Sequence, residues 1–385
     1  LHSPDFYAGD PYPAYKQLRS TSPVCWNDVT KFWALLKYDD IRFVSTNPAL
    51  FSSMHGVSIP DPAIENPVQE GNLIFTDPPR HRQLRKLINS GFTRRQVAML
   101  EPKIREIVRG ILDTIEPGTT HEFAEEIGAP LPTRMIAELL GAPPEDWEQF
   151  RAWSDAATGN ADPDIELDVF VAMGQLYEYF KKLIGARRAE SRNDMLSVLI
   201  NAEIDGERLS DDDLLNFSFL LLVAGNETTR NLIALGTLTL IAHPDQCAKL
   251  IDNPALIPGA VEEMLRFTSP VTHMARTAAA DIEIRGQHIR TGDTVVMLYG
   301  SANRDEDVFG DDAEEFKVTR SPNPHIAFGC GEHSCLGAQL ARLEACILFE
   351  ELLHRYPKIE LAGDVARMRA TMVPGVKRMP VRLGA

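Results

Sequence analysis

Cys335 stands in the run Phe328-Gly329-Cys330-Gly331-Glu332-His333-Ser334-Cys335-Leu336-Gly337. Glycines loosen the chain before it. Apolar residues at helical spacing follow it: Leu336, Leu340, Leu343 and Ile347. A sulfur at the mouth of such a helix faces unpaired amides and the positive end of the helix dipole, which favours thiolate over thiol. Glycine lets backbone N–H groups come close to that sulfur. With no second sulfur in a fixed partner position, the loop suits one axial bond to a flat metal cofactor. Cys thiolate is the haem ligand that pushes electron density toward O–O cleavage. Two other readings stand beside this one. A cysteine at a helix start is more often a small buried hydrophobe. Cys330 and Cys335 with His325 and His333 offer zinc-type donors, although structural zinc sites use tighter paired spacings.

A second group lies in Ala224-Gly225-Asn226-Glu227-Thr228-Thr229. Leu221, Ala224, Gly225, Thr228 and Leu232 share one helical face by i, i+3, i+4 spacing. That face is small in the middle and carries a hydroxyl, a shape that admits a flat ligand. Ordinary helix packing uses small residues in the same way, and Thr228 can bond back to the Ala224 carbonyl. A third group is charged. His81 and Arg85 sit one turn apart after Asp77-Pro78-Pro79, and Glu263 and Arg266 form an i, i+3 pair. Taken alone, the first reads better as a solvated basic helix start, and the second as one of the many exposed pairs that contribute little.

These groups need elements to hold them. Ser210 reads as an N-cap with acidic Asp213 at N3, opening a helix that runs to His243 before Pro244. Residues 33–44 read as a strand then a helix, and residues 56–71, with Pro60, Pro62 and Pro67, as a long loop. From 77 to 196 the pattern is mostly helical. Strand-like alternation comes late, at 282–284, 294–298 and 379–383. The expected fold class is mainly α with a minor β portion near 33–60, 272–300 and 370–385.

Taken together the segments resemble the cytochrome P-450 (haem-thiolate monooxygenase) family. Phe328, Gly329, Gly331, His333, Cys335 and Gly337 match its Phe-Gly-x-Gly-x-His-x-Cys-x-Gly loop. Ala224 to Thr229 match its Ala-Gly-x-(Asp/Glu)-Thr-Thr helix, with Glu227 where Asp is the commoner choice. The resemblance covers nearly the whole chain and implies one domain over residues 1–385, a helical bundle around a buried haem. It implies haem b (iron-protoporphyrin IX) on Cys335, contacted by Phe328, Gly329, Gly337, Ala224 and Gly225, with O2 as co-substrate. It implies propionate contacts from His81, Arg85, Arg276, His325 and His333. Glu227 and Thr228 become the proton-delivering pair, and Glu263, Arg266 and Arg320 a structural trio. The family's substrate loops fall on Val57, Ile59, Val68, Leu221, Val271, His273, Met274 and Val373. A mostly apolar pocket implies a hydrophobic small-molecule substrate. Several phrases are similar to actinobacterial members that hydroxylate sterols and branched lipids. The basic cluster Arg80, Arg82, Arg85, Lys86, Arg94 and Arg95 implies docking of an acidic ferredoxin served by its own reductase. A haem-thiolate sensor or carrier without turnover is the alternative.

Composition narrows the partners further. A formal net charge of −16 argues against nucleic acid as a partner. The cysteines, Cys25, Cys247, Cys330, Cys335 and Cys346, number 5 and are scattered, which fits a reducing cytoplasm rather than a disulfide framework. Leu1-His2-Ser3-Pro4-Asp5 reads as neither signal peptide nor membrane anchor. The most apolar run, 214–224, is too short to span a bilayer.

Overall fold

The longest helix is fixed by its ends. The Ser210 hydroxyl accepts from the Asp213 N–H and the Asp213 carboxylate accepts from the Ser210 N–H, a reciprocal capping box, and His243 ends the helix. Between them run the 32 residues Asp211–Ala242, about 48 Å at 1.5 Å per residue. It is buried along most of its length, so it lacks the polar face of a surface helix.

The computed structural model describes residues 1–60, 71–158, 162–192, 194–204 and 206–384. The helices that build the site, labelled in chain order, are α1 (Tyr38–Thr46), α2 (Arg80–Ile88), α3 (Pro130–Leu140), α4 (Trp147–Thr158), α5 (Asp211–Ala242), α6 (Ile257–Thr268) and α7 (Ala338–Arg355). α5 packs against α3, α4, α6 and α7. One large apolar core joins these helices, with Phe123, Phe150, Leu222, Ile233, Met264 and Phe349 fully enclosed.

A sheet closes one side. Its strands are β1 (Val24–Asn27), β2 (Phe32–Leu35), β3 (Phe51–Ser52), β4 (His273–Ala278) and β5 (Thr294–Leu298), in the order β1-β2-β5-β4-β3. β5 runs parallel to β2, with Val295 opposite Trp33, and antiparallel to β4, with Val295 opposite Arg276. Side chains alternate along β4. Met274 and Ala278 join the core beneath Tyr38 and Tyr299, whereas Ala275 joins a separate core built on Tyr7, Tyr15 and Phe32. Arg276 shares the face of Met274, and His273 shares the face of Ala275.

The fold is mainly helical with small sheets, as the sequence predicts. Strands fall within each expected β-rich stretch. The helix after Cys335 begins at Ala338 rather than Leu336. A second sheet pairs Lys358–Leu361, Pro380–Gly384 and Thr120–Glu122; the sequence reading finds only the middle strand, although Lys358-Ile359-Glu360-Leu361 also alternates. A strand as short as Thr120–Glu122 has no period to read.

Candidate active site

The loop before Cys335 is folded tightly on itself. Gly329 and Gly331 take φ of +67° and +75°, a region that favours glycine. The Cys335 N–H donates to the Phe328 carbonyl at 2.8 Å. A Cβ on Gly331 would stand 2.4 Å from the Ser45 carbonyl oxygen, so the loop is pressed onto α1. From α2, Arg85 donates to the Ser334 carbonyl at 2.7 Å, and Arg82 bonds Glu332 at 2.6 Å. Cys335 keeps accessible surface. The amides of Gly337 and Ala338 reach its sulfur, as the helix-mouth argument requires. Although the residue keeps accessible surface, the protein atoms crowded around it desolvate the sulfur, which outweighs the amides and raises the thiol above its usual range. The expected preference for thiolate is therefore not met by the protein alone. Bonding to a metal deprotonates a thiol outright.

The zinc reading fails on placement. Cys330 packs against the core beneath Tyr38, and His333 lies against His81. His325 accepts from the Ala327 N–H at 3.2 Å and bonds Glu262 through Nε2 at 3.0 Å. Both of its ring nitrogens are engaged, so the propionate role expected for His325 is corrected: it ties Glu262 to the Ala327 backbone instead. Among the described residues no group of three or more His, Cys, Asp or Glu could hold a metal ion.

His81, His333, Arg85 and Arg276 do come together. The two imidazoles lie 4.2 Å apart between centroids. Burial, reinforced by Arg276, His81 and Arg85, drives His333 down to about 2. Burial and then Arg85 lower His81. Arg276 is 6 % exposed, and its guanidinium donates to the carbonyl of Ala275 at 2.7 Å. Among the described residues neither Arg85 nor Arg276 is bonded to a carboxylate, and both ring nitrogens of His81 lack a partner. Buried cations without counter-charge are costly. A group carrying two carboxylates satisfies this donor set, as guanidinium geometry favours. The residues fit haem in that respect.

On α5, Ala224 keeps accessible surface although it lies in the middle of the helix. Thr228 donates its hydroxyl to the Ala224 carbonyl at 2.7 Å. Glu227 is buried and bonds Arg230 at 3.2 Å. Gly225 is placed differently from the expectation. A Cβ there would sit 2.6 Å from the Ile136 Cδ1 of α3, so its smallness serves helix packing.

The structural trio is in place. Arg266 bonds both Glu263 oxygens, at 2.7 and 2.8 Å, and Arg320 bonds Glu263 at 3.1 Å. Next to it lies a second network that the sequence reading missed. Arg342 of α7 donates to Glu262 at 2.6 and 2.9 Å while its guanidinium covers the Phe328 ring at 4.5 Å. Burial alone would raise the Glu262 carboxyl, but bonds from His325 and Arg342 hold it at about 2. Its contribution to stability is therefore present above its ordinary value of 4.5 and lost as pH falls through about 2. Glu262→Gln is expected to cost about 1–2 kcal/mol at neutral pH in urea unfolding. The difference from wild type should shrink as acid is added below pH 4.5; a constant difference would count against the assignment.

The expected pocket residues divide. Leu221 shares the α5 face of Ala224, and Met274 shares the β4 face of Arg276. Val271 packs with Met274 against the same core. Val373 follows Thr371 and Met372, whose carbonyls accept from the Thr272 hydroxyl at 2.7 and 3.2 Å. Val57 is buried, its carbonyl accepting from the Ala275 N–H at 2.7 Å. His273 and Ile59 are corrected. His273 lies 5.6 Å from the Tyr7 ring, on the opposite face of β4 from Arg276, and Ile59 belongs to that same N-terminal core. Strand parity turns His273 away from the arginine, and Ile59 is taken up by packing in that core. Val68 lies outside the described residues.

Comparison with known proteins agrees with this geometry. The cytochrome P450 family model matches residues 168–368. A steroid C26-monooxygenase of Mycolicibacterium smegmatis is 38 % identical over 98 % of this chain and 94 % of its own. A methyl-branched lipid omega-hydroxylase of Mycobacterium bovis is 37 % identical over 99 % of this chain and 94 % of its own. Among solved structures, the Mycobacterium marinum cytochrome P450 CYP268A2 in complex with pseudoionone superposes with TM-score 0.91 at 37 % identity, covering 100 % of this chain and 98 % of that one. CYP109E1 of Bacillus megaterium in complex with testosterone gives TM-score 0.88 at 35 % identity, covering 98 % of this chain and 100 % of that one. The chain belongs to the cytochrome P450 family, monooxygenases that use haem iron and O2. Among the described residues no helix is long and apolar enough to cross a membrane.

Proposed function

We propose that this chain hydroxylates an apolar small molecule of the branched-lipid, sterol or terpenoid-like class, with electrons from a separate ferredoxin and its reductase, in the cytoplasm. One observation carries the reading. A buried set of cationic and imidazole donors, with no carboxylate bonded to its arginines, lies beside the loop of a cysteine reached by backbone amides. Cys335 would hold the iron of haem b, and His81, Arg85, Arg276 and His333 its carboxylates. The bound haem supplies oxygen activation, which side chains cannot. The protein contributes position and protons. Glu227 is a buried acid, and Thr228 is the hydroxyl next to it on the helix face of Ala224. Leu221, Val271, Met274 and Val373 favour an apolar substrate. The relatives named for steroid and branched-lipid oxidation support that class. Arg94 and Arg95 stay exposed and suit an acidic ferredoxin. Arg80 and Arg82 of the same cluster are already paired with Asp213 and Glu332.

A carbon monoxide difference spectrum of the reduced protein tests the cofactor and ligand. A thiolate-type band is expected, and a band typical of His ligation would overturn the assignment. Titration with a lipid and sterol library, followed by the Soret shift, tests the substrate class. A carrier without turnover would need no buried acid beside a hydroxyl. Oxygen consumption coupled to product separates the two. Thr228→Ala is expected to keep the haem spectrum yet lower product per electron about tenfold or more, with peroxide rising in step. Unchanged coupling would remove Thr228 from the proton route.

A further inference from the structure

His273, turned away from Arg276, is fully enclosed yet only half paired. It is 0 % exposed and opens β4 opposite Leu298 of β5. Its Nε2 has no partner among the described residues, and its ring rests 5.6 Å from that of Tyr7. Its Nδ1 lies 2.9 Å from the Thr272 hydroxyl. Proton counting fixes the direction of that bond. Thr272 Oγ1 carries one proton. It stands 2.7 Å from the Thr371 carbonyl oxygen and 3.2 Å from that of Met372. Carbonyl oxygens only accept, so the hydroxyl proton points at Thr371. The imidazole must then be the donor, Nδ1–H to Oγ1. A neutral imidazole has a single N–H, so Nε2 keeps a bare lone pair. Burial drives the ring down to about 3, which keeps it neutral.

The carbonyls that Thr272 holds belong to the tip of a hairpin. Its strands, Ala366–Arg367 and Val376–Arg378, pair briefly and with a shift in register. So short and irregular a ladder does not fix the tip by its own pairing. Thr272 supplies the anchor. Its N–H donates to the Met372 carbonyl at 2.9 Å, and its hydroxyl to that of Thr371. Val373 comes next, in a turn where the Gly375 N–H donates to the Val373 carbonyl at 2.9 Å. On its other side the tip meets α5, where a Cβ on Gly375 would collide with the Asn231 amide.

We infer that His273 is a positioning residue: as the Nδ1–H tautomer it aims the Thr272 hydroxyl at the hairpin tip and so sets where Val373 stands. This rests on the reading of Val373 as a pocket residue of a hydroxylase. A hydroxyl that accepts a hydrogen bond also becomes a better donor, so the imidazole strengthens the bond beyond it. A ring of similar size without the N–H would fill the core but leave the hydroxyl free to turn. Substrate selectivity is then set in part from the N-terminal core around Tyr7, on the far face of β4 from the pocket.

The experiment uses the full, haem-loaded chain with isotope-labelled histidine rings. Nuclear magnetic resonance should show one imidazole with a protonated Nδ1 and a bare Nε2 that does not titrate through the ordinary histidine range. His273→Asn should remove that signal, which assigns it. The opposite tautomer, or a titrating ring, overturns the inference. Asn places an amide N–H where the Nδ1–H stood, and Phe offers none. Hydrogen exchange at the Met368 and Gly375 amides, which bond across the tip, should speed up about fivefold in His273→Phe and stay near wild type in His273→Asn. Affinity for the lipid or sterol with the largest Soret shift should fall about fivefold in the Phe variant and recover in the Asn variant. A histidine that merely fills space predicts the reverse order, since Phe fills the core better than Asn, and that order would overturn the inference. Should His273→Phe not fold, Thr272→Val must shift the Nδ1 signal and loosen the same amides; no change in either overturns it. Ligands that bind all variants alike sink the inference alone. A wild type whose Soret band no apolar ligand moves sinks the substrate reading, while ring signals and amide exchange still decide how the hairpin is held.

Discussion

Replacing Arg266 by Ala is expected to destabilise the chain by about 3–5 kcal/mol, enough to deplete folded, haem-loaded protein. Arg266 and Glu263 are both 0 % exposed. The guanidinium holds both Glu263 oxygens and also donates to the carbonyls of Asn303, Ala313 and Glu315 at 2.9, 2.7 and 2.8 Å. Truncation leaves a buried carboxylate short of its main counter-charge and three carbonyls without that donor. Arg320 cannot compensate, because it meets Glu263 through one nitrogen and spends the others on Asp312, Phe309 and Glu315. Arg266→Lys should fail nearly as badly, since an ammonium has three donors without the planar fork. Urea unfolding measures the loss. A midpoint close to wild type in Arg266→Ala would show that Glu263 finds other partners.

Cys335→Ala is expected to have the other large effect, of a different kind. Its thiol sits on a loop held by Phe328, Ser45 and Arg85, none of which depends on the sulfur. The protein should therefore fold, bind haem more weakly and give no thiolate-type carbon monoxide band. Cys330→Ala should leave that band in place, because Cys330 packs against the core beneath Tyr38. Loss of the band in Cys330→Ala with its retention in Cys335→Ala would reverse the ligand assignment.

The parts of this site that could be read from sequence are those whose partners are close along the chain. The Ser210 capping box spans three residues, the Glu263–Arg266 pair one turn, and the cysteine loop a single run. The parts that could not be read depend on tertiary contact. Glu262 meets Arg342 across 80 residues and His325 across 63. Arg230 meets Asp155 across 75. Nothing near Gly225 shows that Ile136 fills its side of the helix. His273 was misplaced for a sharper reason: strand faces alternate, so it and Met274, one position on, must face opposite ways. Local amides predict an ionised Cys335 thiol, yet the atoms that the fold crowds around the sulfur desolvate it and raise it.

The Gly331 contact with Ser45 has a kinetic consequence. The seat of the iron ligand is completed by a helix lying almost three hundred residues earlier in the chain, and Arg85 ties the same loop to another early segment. Contacts between such distant parts close late, because loop entropy must be overcome first. Tight capture of haem should then follow the meeting of the two ends of the chain rather than precede it. Soret recovery in a refolding experiment with haem present should lag behind helix formation, making the cofactor a reporter of the last stage of assembly.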